Sequence, residues 1–138
     1  MTASVSSPPS IKPPWNWTDR DREQKKILWK QLSDWVNWLE HAYDTWVQLP
    51  PCWALHEGLC TELRIFWYWH KLVMKAQSDP AQAVRWHREL RTSAHAWSLL
   101  ANCAHEPQLR QLDAMAEQRA QQVASFTHAA IDADVRED

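Results

Sequence analysis

The chain has 138 residues and a formal net charge of −2, so it carries no general electrostatic attraction to nucleic acid. Its length suits one domain that buries a core without disulfides or structural metals. The single glycine argues against both a β-sandwich and a glycine-rich phosphate loop, and the abundance of Ala, Leu, Gln, Glu and Arg predicts an all-α fold. Eleven of the fifteen aromatic residues are tryptophan.

The N-terminal segment is rich in Ser and Pro and has no periodicity, which predicts a flexible arm over residues 1–17. Trp15 and Trp17 lie at the end of this arm. They either dock the arm onto the folded domain or face a partner.

The first helix is predicted over residues 19–47. Residues 18–21 (TDRD) have the composition of an N-cap followed by acidic side chains, and Pro50 and Pro51 stop the helix. Between these signals, apolar residues recur at spacings of three and four. The stripe consists of Leu28, Leu32, Trp35, Leu39, Ala42, Tyr43 and Trp46, with Trp29, Val36 and Trp38 on its flanks.

The second helix is predicted over residues 51–77 and has two apolar sides, which is typical of a central helix. One side carries the aromatic residues Phe66, Trp67 and Trp69. The other is flatter, and another backbone can approach it closely. This flatter side contains Ala54, Gly58, Ile65, Leu72 and Ala76.

Two further helices follow. Asp79 and Pro80 are a restart signal for a third helix over residues 80–104, and Pro107 opens a weaker fourth helix over 107–130 that is docked at its start and frayed later. Residues 131–138 are predicted to be a disordered acidic tail. The expected architecture is therefore an antiparallel bundle of three long helices plus a fourth, with the helical domain spanning residues 18–130.

Four segments resemble a family of small, Trp-rich helical proteins of actinobacteria. They are residues 32–43 (LSDWVNWLEHAY), 49–56 (LPPCWALH), 62–63 (EL) and 86–87 (WH), and the resemblance covers residues 32–97. Members of this family are encoded on plasmids, integrated conjugative elements and phages. The resemblance implies a mobile-element context and assigns no activity.

The sequence gives only weak support for a metal site or for nucleophilic catalysis. Cys52, His56 and Cys60 share one face of the predicted helix, so two of the three could bind one metal with His87 as a further donor, but the spacing matches no established zinc signature. Cys52 near a helix N-terminus lacks an oxyanion site. We expect no cofactor, no metal site and no enzymatic activity; buried, hydrogen-bonded histidines are the alternative to a metal site.

Binding through exposed tryptophan is the predicted function, because Trp is enriched at interface anchors and the chain has more Trp than a core of this size readily hides. A homodimer across the flatter side of the second helix is one form of such an interface. The candidate protein-binding residues are Trp15, Trp17, Trp53, Trp67, Tyr68 and Trp69.

Nucleic-acid binding is the alternative function, since six basic residues oppose two acidic ones between positions 64 and 91. The odd cysteine count favours reduced thiols in a cytoplasmic protein, and Arg64 and Lys71 interrupt the longest apolar run, so no membrane span is expected. The candidate phosphate-binding residues are Lys71, Lys75, Arg85, Arg88 and Arg91.

Overall fold

The computed structural model describes residues 12–102 and 112–136, with side chains described over 12–100 and 117–136. Every regular element in these ranges is helical, which confirms the all-α fold. The helices are α1 (Arg22–Ala42), α2 (Glu57–Val73), α3 (Pro80–Trp97) and α4 (Leu112–Arg136), with short 3₁₀ turns at Trp53–Leu55 and Ser98–Asn102.

Helix α1 is shorter at both ends than predicted. Its N-cap is Asp21, whose carboxylate accepts a hydrogen bond from the Gln24 N–H at 2.8 Å, while the Gln24 side chain accepts one from the Asp21 N–H at 3.1 Å. This reciprocal capping box places the start three residues later than the predicted position 19. At the other end the chain turns at Tyr43, whose carbonyl accepts hydrogen bonds from Trp46 and Val47.

The second predicted helix is two elements rather than one. After Pro50 and Pro51 the chain makes the 3₁₀ turn Trp53–Leu55, adopts an extended conformation at His56, and only then enters α2. The Cys60 thiol donates to the carbonyls of Trp53 and Ala54 at 3.5 and 3.2 Å, so it links the 3₁₀ turn to the first turn of α2. The prediction of one continuous helix over 51–77 is therefore wrong.

The chain also departs from the prediction at its C-terminal end. Helix α4 continues to Arg136, so the prediction of a disordered tail is wrong over residues 131–136. The final turns are docked rather than frayed, because Val135 is buried and the Asp134 carboxylate accepts a hydrogen bond from the indole of Trp29. Residues 1–11, 103–111 and 137–138 lie outside the described ranges, including the predicted start of the fourth helix.

Contacts between side chains define how the helices are arranged. Helix α4 runs antiparallel to α1, since Arg119 pairs with Glu40 near one end and Asp134 contacts Lys25 near the other. Helices α2 and α3 form a hairpin joined by residues 74–79. Helices α1 and α2 instead run parallel, since Arg64 contacts Trp29 near their starts and His70 contacts Trp38 near their ends. The fourteen-residue connection over 43–56 lets the chain cross over before α2 begins, so the predicted antiparallel arrangement is wrong for this pair.

The core lies where α1, α2, α3 and the first 3₁₀ turn meet. Its fully buried side chains are large, and two indole N–H groups reach polar acceptors: Trp86 donates to the Phe66 carbonyl at 3.0 Å and Trp97 donates to Glu62 at 2.7 Å. These two tryptophans are therefore buried without losing their hydrogen bond, whereas the buried indole N–H groups of Trp17, Trp35 and Trp53 have no acceptor among the described residues. Among the described helices, none is both long and apolar enough to cross a lipid bilayer.

Candidate protein-binding surface

Three of the six tryptophan and tyrosine residues predicted to bind a partner are buried. Trp17 is 2 % exposed, Trp53 is inaccessible and Trp67 is 5 % exposed. The end of the arm folds onto the domain, where the ring centroids of Trp17 and Trp67 lie 6.3 Å apart, and the 3₁₀ turn directs Trp53 inward. The structure therefore removes these three residues from any surface that a folded monomer presents.

The other three are partly exposed, and among the described residues no ring contact joins any two of them. Trp15 borders a small pocket of about 240 Å³ beside Thr61 and Arg64. Tyr68 and Trp69 lie on α2, with the ammonium of Lys71 4.5 Å from the Tyr68 ring and the Phe66 ring 6.2 Å from that of Trp69.

A continuous aromatic surface occurs instead between α1 and α3. It is formed by side chains from the second half of α1 and the turn after it, from the end of α2 and from the first half of α3, around the buried ring of Trp86. We call it the α1–α3 aromatic surface, and its members are Trp35, Trp38, Tyr43, Trp46, His70 and His87.

Trp38 is the most exposed member of this surface, with 43 % of its area accessible. Its ring nevertheless has close neighbours: the centroid of His70 lies 5.1 Å away, that of Tyr43 lies 5.8 Å away and that of Trp35 lies 6.1 Å away. Contacts with three rings hold Trp38 in one position while its outer part stays accessible.

Tyr43 and His87 form a polar link beneath the exposed rings. The Nδ1 atom of His87 lies 2.7 Å from the Ala83 carbonyl, which can only accept, so Nδ1 carries the proton. The other ring nitrogen, Nε2, lies 2.7 Å from the Tyr43 hydroxyl, which donates to it when Nδ1 carries the single ring proton. Burial raises the pKa of Tyr43, which keeps its hydroxyl protonated as the donor.

His70 completes the floor of the surface. Its ring centroid lies 4.9 Å from that of Trp86 and 5.8 Å from that of Trp35. Burial among these rings lowers the pKa of His70, and the neighbouring His87 lowers it further. The imidazole is therefore neutral at physiological pH, and a partner that covers it does not have to desolvate a charge.

The predicted phosphate-binding residues are all exposed, but they differ in what they contact. The Arg91 guanidinium lies 4.9 Å from the centroid of Trp46, so it borders the α1–α3 aromatic surface, and the Lys71 ammonium lies 3.8 Å from the centroid of Trp67. Burial lowers the pKa of Lys71. Lys75, Arg85 and Arg88 are accessible, and no carboxylate of the described residues forms an ion pair with any of the three arginines on α3.

The cysteine and histidine residues considered as metal ligands are not brought together. The Cys52 sulfur lies 3.4 Å from Nε2 of His56, while the Cys60 thiol faces backbone carbonyls and His87 contacts Tyr43. Burial raises the pKa of Cys60 to about 12, so its thiol stays protonated and is a poor ligand and nucleophile. Within residues 12–102 and 112–136, no three His, Cys, Asp or Glu side chains are placed to hold one ion.

A second concave region lies between α1 and α4, with a volume of about 700 Å³. At its edge Arg119 contacts Glu40 at 2.6 Å and donates to the Leu49 carbonyl at 2.5 Å. Burial raises the pKa of Glu40, although Arg119 opposes this. Because one nitrogen of Arg119 joins α4 to both α1 and the loop after it, we interpret this pair as a structural clamp.

Comparison with protein-family models, with curated proteins and with solved structures gave no match to this chain.

In the sequence, Trp38 lies on the flank of the α1 stripe and Trp46 lies on the predicted buried stripe itself, and neither was predicted to bind a partner. The flank position of Trp38 could have indicated its exposure. A large aromatic residue that lies beside a complete apolar stripe of a helix tends to remain partly exposed. The periodicity predicted that α1 continues about one turn beyond its actual end at Ala42. Trp46 was therefore assigned to a helix stripe, although it lies in the turn after the helix.

Proposed function

We propose that this chain is a non-enzymatic accessory protein of a mobile genetic element and that it binds another protein through the α1–α3 aromatic surface. The observation that carries the proposal is the exposure of Trp38, which is held by neighbouring rings and yet 43 % accessible. Tryptophan, tyrosine and arginine are the residues most enriched among those that dominate binding energies.

Preorganisation supports this choice of surface. An anchor that is already fixed loses little side-chain entropy when a partner covers it, so more of the contact energy appears as affinity. The neutral state of His70 and the closed hydrogen bonds of His87 add to this effect, because covering His70 strands no charge and covering His87 strands no polar group. Arg91 at the edge favours a partner with a carboxylate beside its apolar anchor.

The mobile-element context is supported by the segments that resemble the actinobacterial family. Residues 32–43 and 86–87 carry part of that resemblance, and they also supply most of the α1–α3 aromatic surface, including Trp35, Trp38, Tyr43 and His87. We propose that the cytoplasm of a cell carrying such an element holds the partner.

The experiment is affinity capture with the tagged chain from cells that carry such an element. We expect a discrete partner that binds the wild type and Leu99→Ala but binds Trp38→Ala at least about tenfold more weakly. Leu99 is the matched control because it is 74 % exposed and lies on the second 3₁₀ turn, outside this surface. Equal capture by Trp38→Ala would exclude the surface, and the absence of any partner would contradict the function.

Direct binding of nucleic acid is the second candidate, favoured by Arg85, Arg88 and Arg91 lying exposed along one helix without ion pairs to the described carboxylates. Phosphate contacts make affinity fall as salt rises, and each lost contact lowers the slope by about one. We would measure retention of labelled DNA and RNA by the wild type and by Arg85→Gln/Arg88→Gln. Retention that is absent, or that is the same for both proteins, excludes this candidate.

A further inference from the structure

A small pocket lies between the end of the N-terminal arm, the first half of α2 and the end of α4. Its volume is about 240 Å³, which suits the head group of a ligand rather than a drug-sized molecule. Arg64 is the one basic side chain among the described residues that line it. We call it the arm pocket, and its wall includes Trp15 and Trp17 from the arm, Glu57, Thr61 and Arg64 from α2, and Asp134 from α4.

The Arg64 side chain is held between rings but has no polar partner within the described part of the chain. Its guanidinium carbon lies 4.1 Å from the ring centroid of Trp17 and 5.0 Å from that of Trp29. No described carboxylate forms an ion pair with it, and its buried Nε–H group has no described acceptor. Arg119, by contrast, pairs with Glu40. The hydrogen-bonding capacity of the Arg64 guanidinium is therefore unused by the residues around it.

A second unpaired donor lies beside the first. The buried indole N–H of Trp17 also lacks an acceptor among the residues that the structure describes. Because the Trp17 ring contacts the guanidinium, the two donors belong to side chains that touch each other and border the same pocket. A buried donor without an acceptor destabilises the folded chain, so this pair indicates an acceptor that a ligand supplies.

The burial of a cation makes an anionic acceptor favourable. Loss of water lowers the pKa of Arg64, although the carboxylates of Asp134 and Glu57 oppose this shift. A guanidinium stays protonated in a protein, so its charge remains after water has been replaced by aromatic rings. An anion that binds beside it restores part of the electrostatic stabilisation that burial removed.

The two carboxylates at the wall select a singly charged ligand. Asp134 is already engaged, since it accepts from the Trp29 indole and lies 3.5 Å from the Lys25 ammonium. Glu57 is exposed at the start of α2. Their repulsion weighs more on a phosphate group, which carries a charge of about −1.5 to −2 at pH 7, than on a carboxylate. The two coplanar oxygens of a carboxylate also match the fork of the guanidinium.

We propose that the arm pocket binds the carboxylate group of a small monoanionic ligand, whose oxygens accept hydrogen bonds from the Arg64 guanidinium. Trp17 keeps the guanidinium oriented, and the half-buried ring of Trp15 contacts the apolar part of the ligand at the rim. The arm pocket shares no residue with the α1–α3 aromatic surface. This site therefore goes beyond the proposed function and fails separately from it, and Trp38→Ala should leave its affinity unchanged.

Heteronuclear NMR of the isotope-labelled full chain tests the site, with arginine Nε–H and tryptophan indole signals followed during titration with sodium acetate. Sodium chloride at equal ionic strength is the reference, and about pH 6 keeps acetate ionised. We expect the Arg64 and Trp17 signals, assigned from Arg64→Lys and Trp17→Phe spectra, to shift saturably with a dissociation constant in the millimolar range. Shifts that stay linear, that chloride reproduces or that miss both signals would overturn the proposal.

Three variants locate the bound anion. Arg64→Gln should remove saturable binding, and Glu57→Gln should tighten it about twofold or more because one like charge is lost. Arg85→Gln, which changes an exposed arginine on α3, is the matched control and should bind acetate as the wild type does. Acetate binding that survives Arg64→Gln, or an affinity that Glu57→Gln leaves unchanged, would show that the anion lies elsewhere.

Glu57→Gln also keeps the test independent of folding, because the Glu57 side chain is exposed and the contact between Trp17 and Arg64 does not involve it. Sodium sulfate, a dianion at this pH, tests the class of ligand. It should bind more weakly than acetate at equal ionic strength, because the carboxylates at the wall repel the second charge. Tighter binding of sulfate would contradict the assignment of a monoanionic carboxylate.

Discussion

The chain contains two tryptophan clusters of similar size, one closed and one open. In the closed cluster, Trp17, Trp29, Trp53 and Trp67 contact one another with ring centroids 5.8 to 6.5 Å apart, and each is at most 5 % exposed. In the α1–α3 aromatic surface the spacing between rings is similar, but Trp38 and its neighbours remain partly accessible.

The clusters differ in what covers them. The closed cluster is overlaid by the end of the N-terminal arm and by the last turns of α4. Helix α4 brings a polar partner, since Asp134 accepts from Trp29, and the arm places the Trp17 ring 4.1 Å from the guanidinium of Arg64 on α2. The open cluster has histidines at its base, and no other described helix covers it. Whether a tryptophan cluster is core or surface is thus decided by the segments folded over it.

The largest difference in stability between the two clusters should appear when one tryptophan ring is removed from each, Trp53 from the closed cluster and Trp38 from the open one. Trp53 is inaccessible, so Trp53→Ala leaves a large cavity and should lower the free energy of unfolding by about 3–5 kcal/mol. Urea denaturation followed by circular dichroism measures this loss. A loss below about 1 kcal/mol would show that the closed cluster is not part of the core.

The cover of the closed cluster can be tested at Asp134. Its carboxylate accepts from the Trp29 indole and lies 3.5 Å from the Lys25 ammonium, and Lys25 is only 4 % exposed. Asp134→Ala should therefore destabilise the fold by about 2 kcal/mol, measured by the same denaturation. Asp132→Ala, on the exposed side of the same turn, is the matched control and should change stability by less than about 0.5 kcal/mol. Equal effects at both positions would indicate that the end of α4 is not docked.

The base of the open cluster should give a pH signature. The folded-state pKa of His70 lies below the ordinary value of 6.5, so the unfolded chain binds its proton first as the pH falls. Stability should accordingly decrease as the pH drops through 6.5 and stop decreasing below the folded-state pKa.

The variant His70→Gln removes this contribution, so it should lose less stability than the wild type between pH 7 and pH 5. The difference should be below about 1 kcal/mol because water screens a half-buried group. Thermal denaturation at a series of pH values measures it. Identical pH profiles for the two proteins would contradict the burial of this imidazole.

The effect of Trp38 on folding should be well below that of Trp53. Because 43 % of Trp38 is exposed, although three rings contact the rest, Trp38→Ala should lower the free energy of unfolding by about 1–2 kcal/mol. A loss comparable with that of Trp53→Ala would place Trp38 in the core and remove the basis for a binding role.

The sequence was sufficient to predict helices where an apolar stripe and a capping signal agreed. The start of α3 at Pro80, with Asp79 accepting from the Ala81 N–H at 3.0 Å, is the clearest case. The division of the second predicted helix was not predictable from periodicity, because the 3₁₀ turn keeps nearly the same spacing of apolar residues over three positions. The contacts that fix it, from the Cys60 thiol to two carbonyls, are local but carry no pattern in the sequence.

The candidate surface was harder to predict from the sequence than the helices were, because the burial of a side chain depends on contacts between distant segments. Trp53 was expected at a surface, and Trp17 was expected either at a surface or docked onto the domain. Both are buried, with the end of α4, which composition predicted to be disordered, among the segments that lie over their cluster. Composition cannot distinguish Asp134, which accepts a hydrogen bond from an indole 105 residues earlier, from an Asp in a solvated tail.

Hydroxyl-radical footprinting of the free chain and of the captured complex tests the role of the open cluster most directly. In the free chain we expect Trp38 to be oxidised far faster than Trp53, and in the complex we expect Trp38 and Trp46 to become protected while Leu99 stays reactive. Equal oxidation of Trp38 with and without the bound partner would contradict the assignment of the α1–α3 aromatic surface as the binding site.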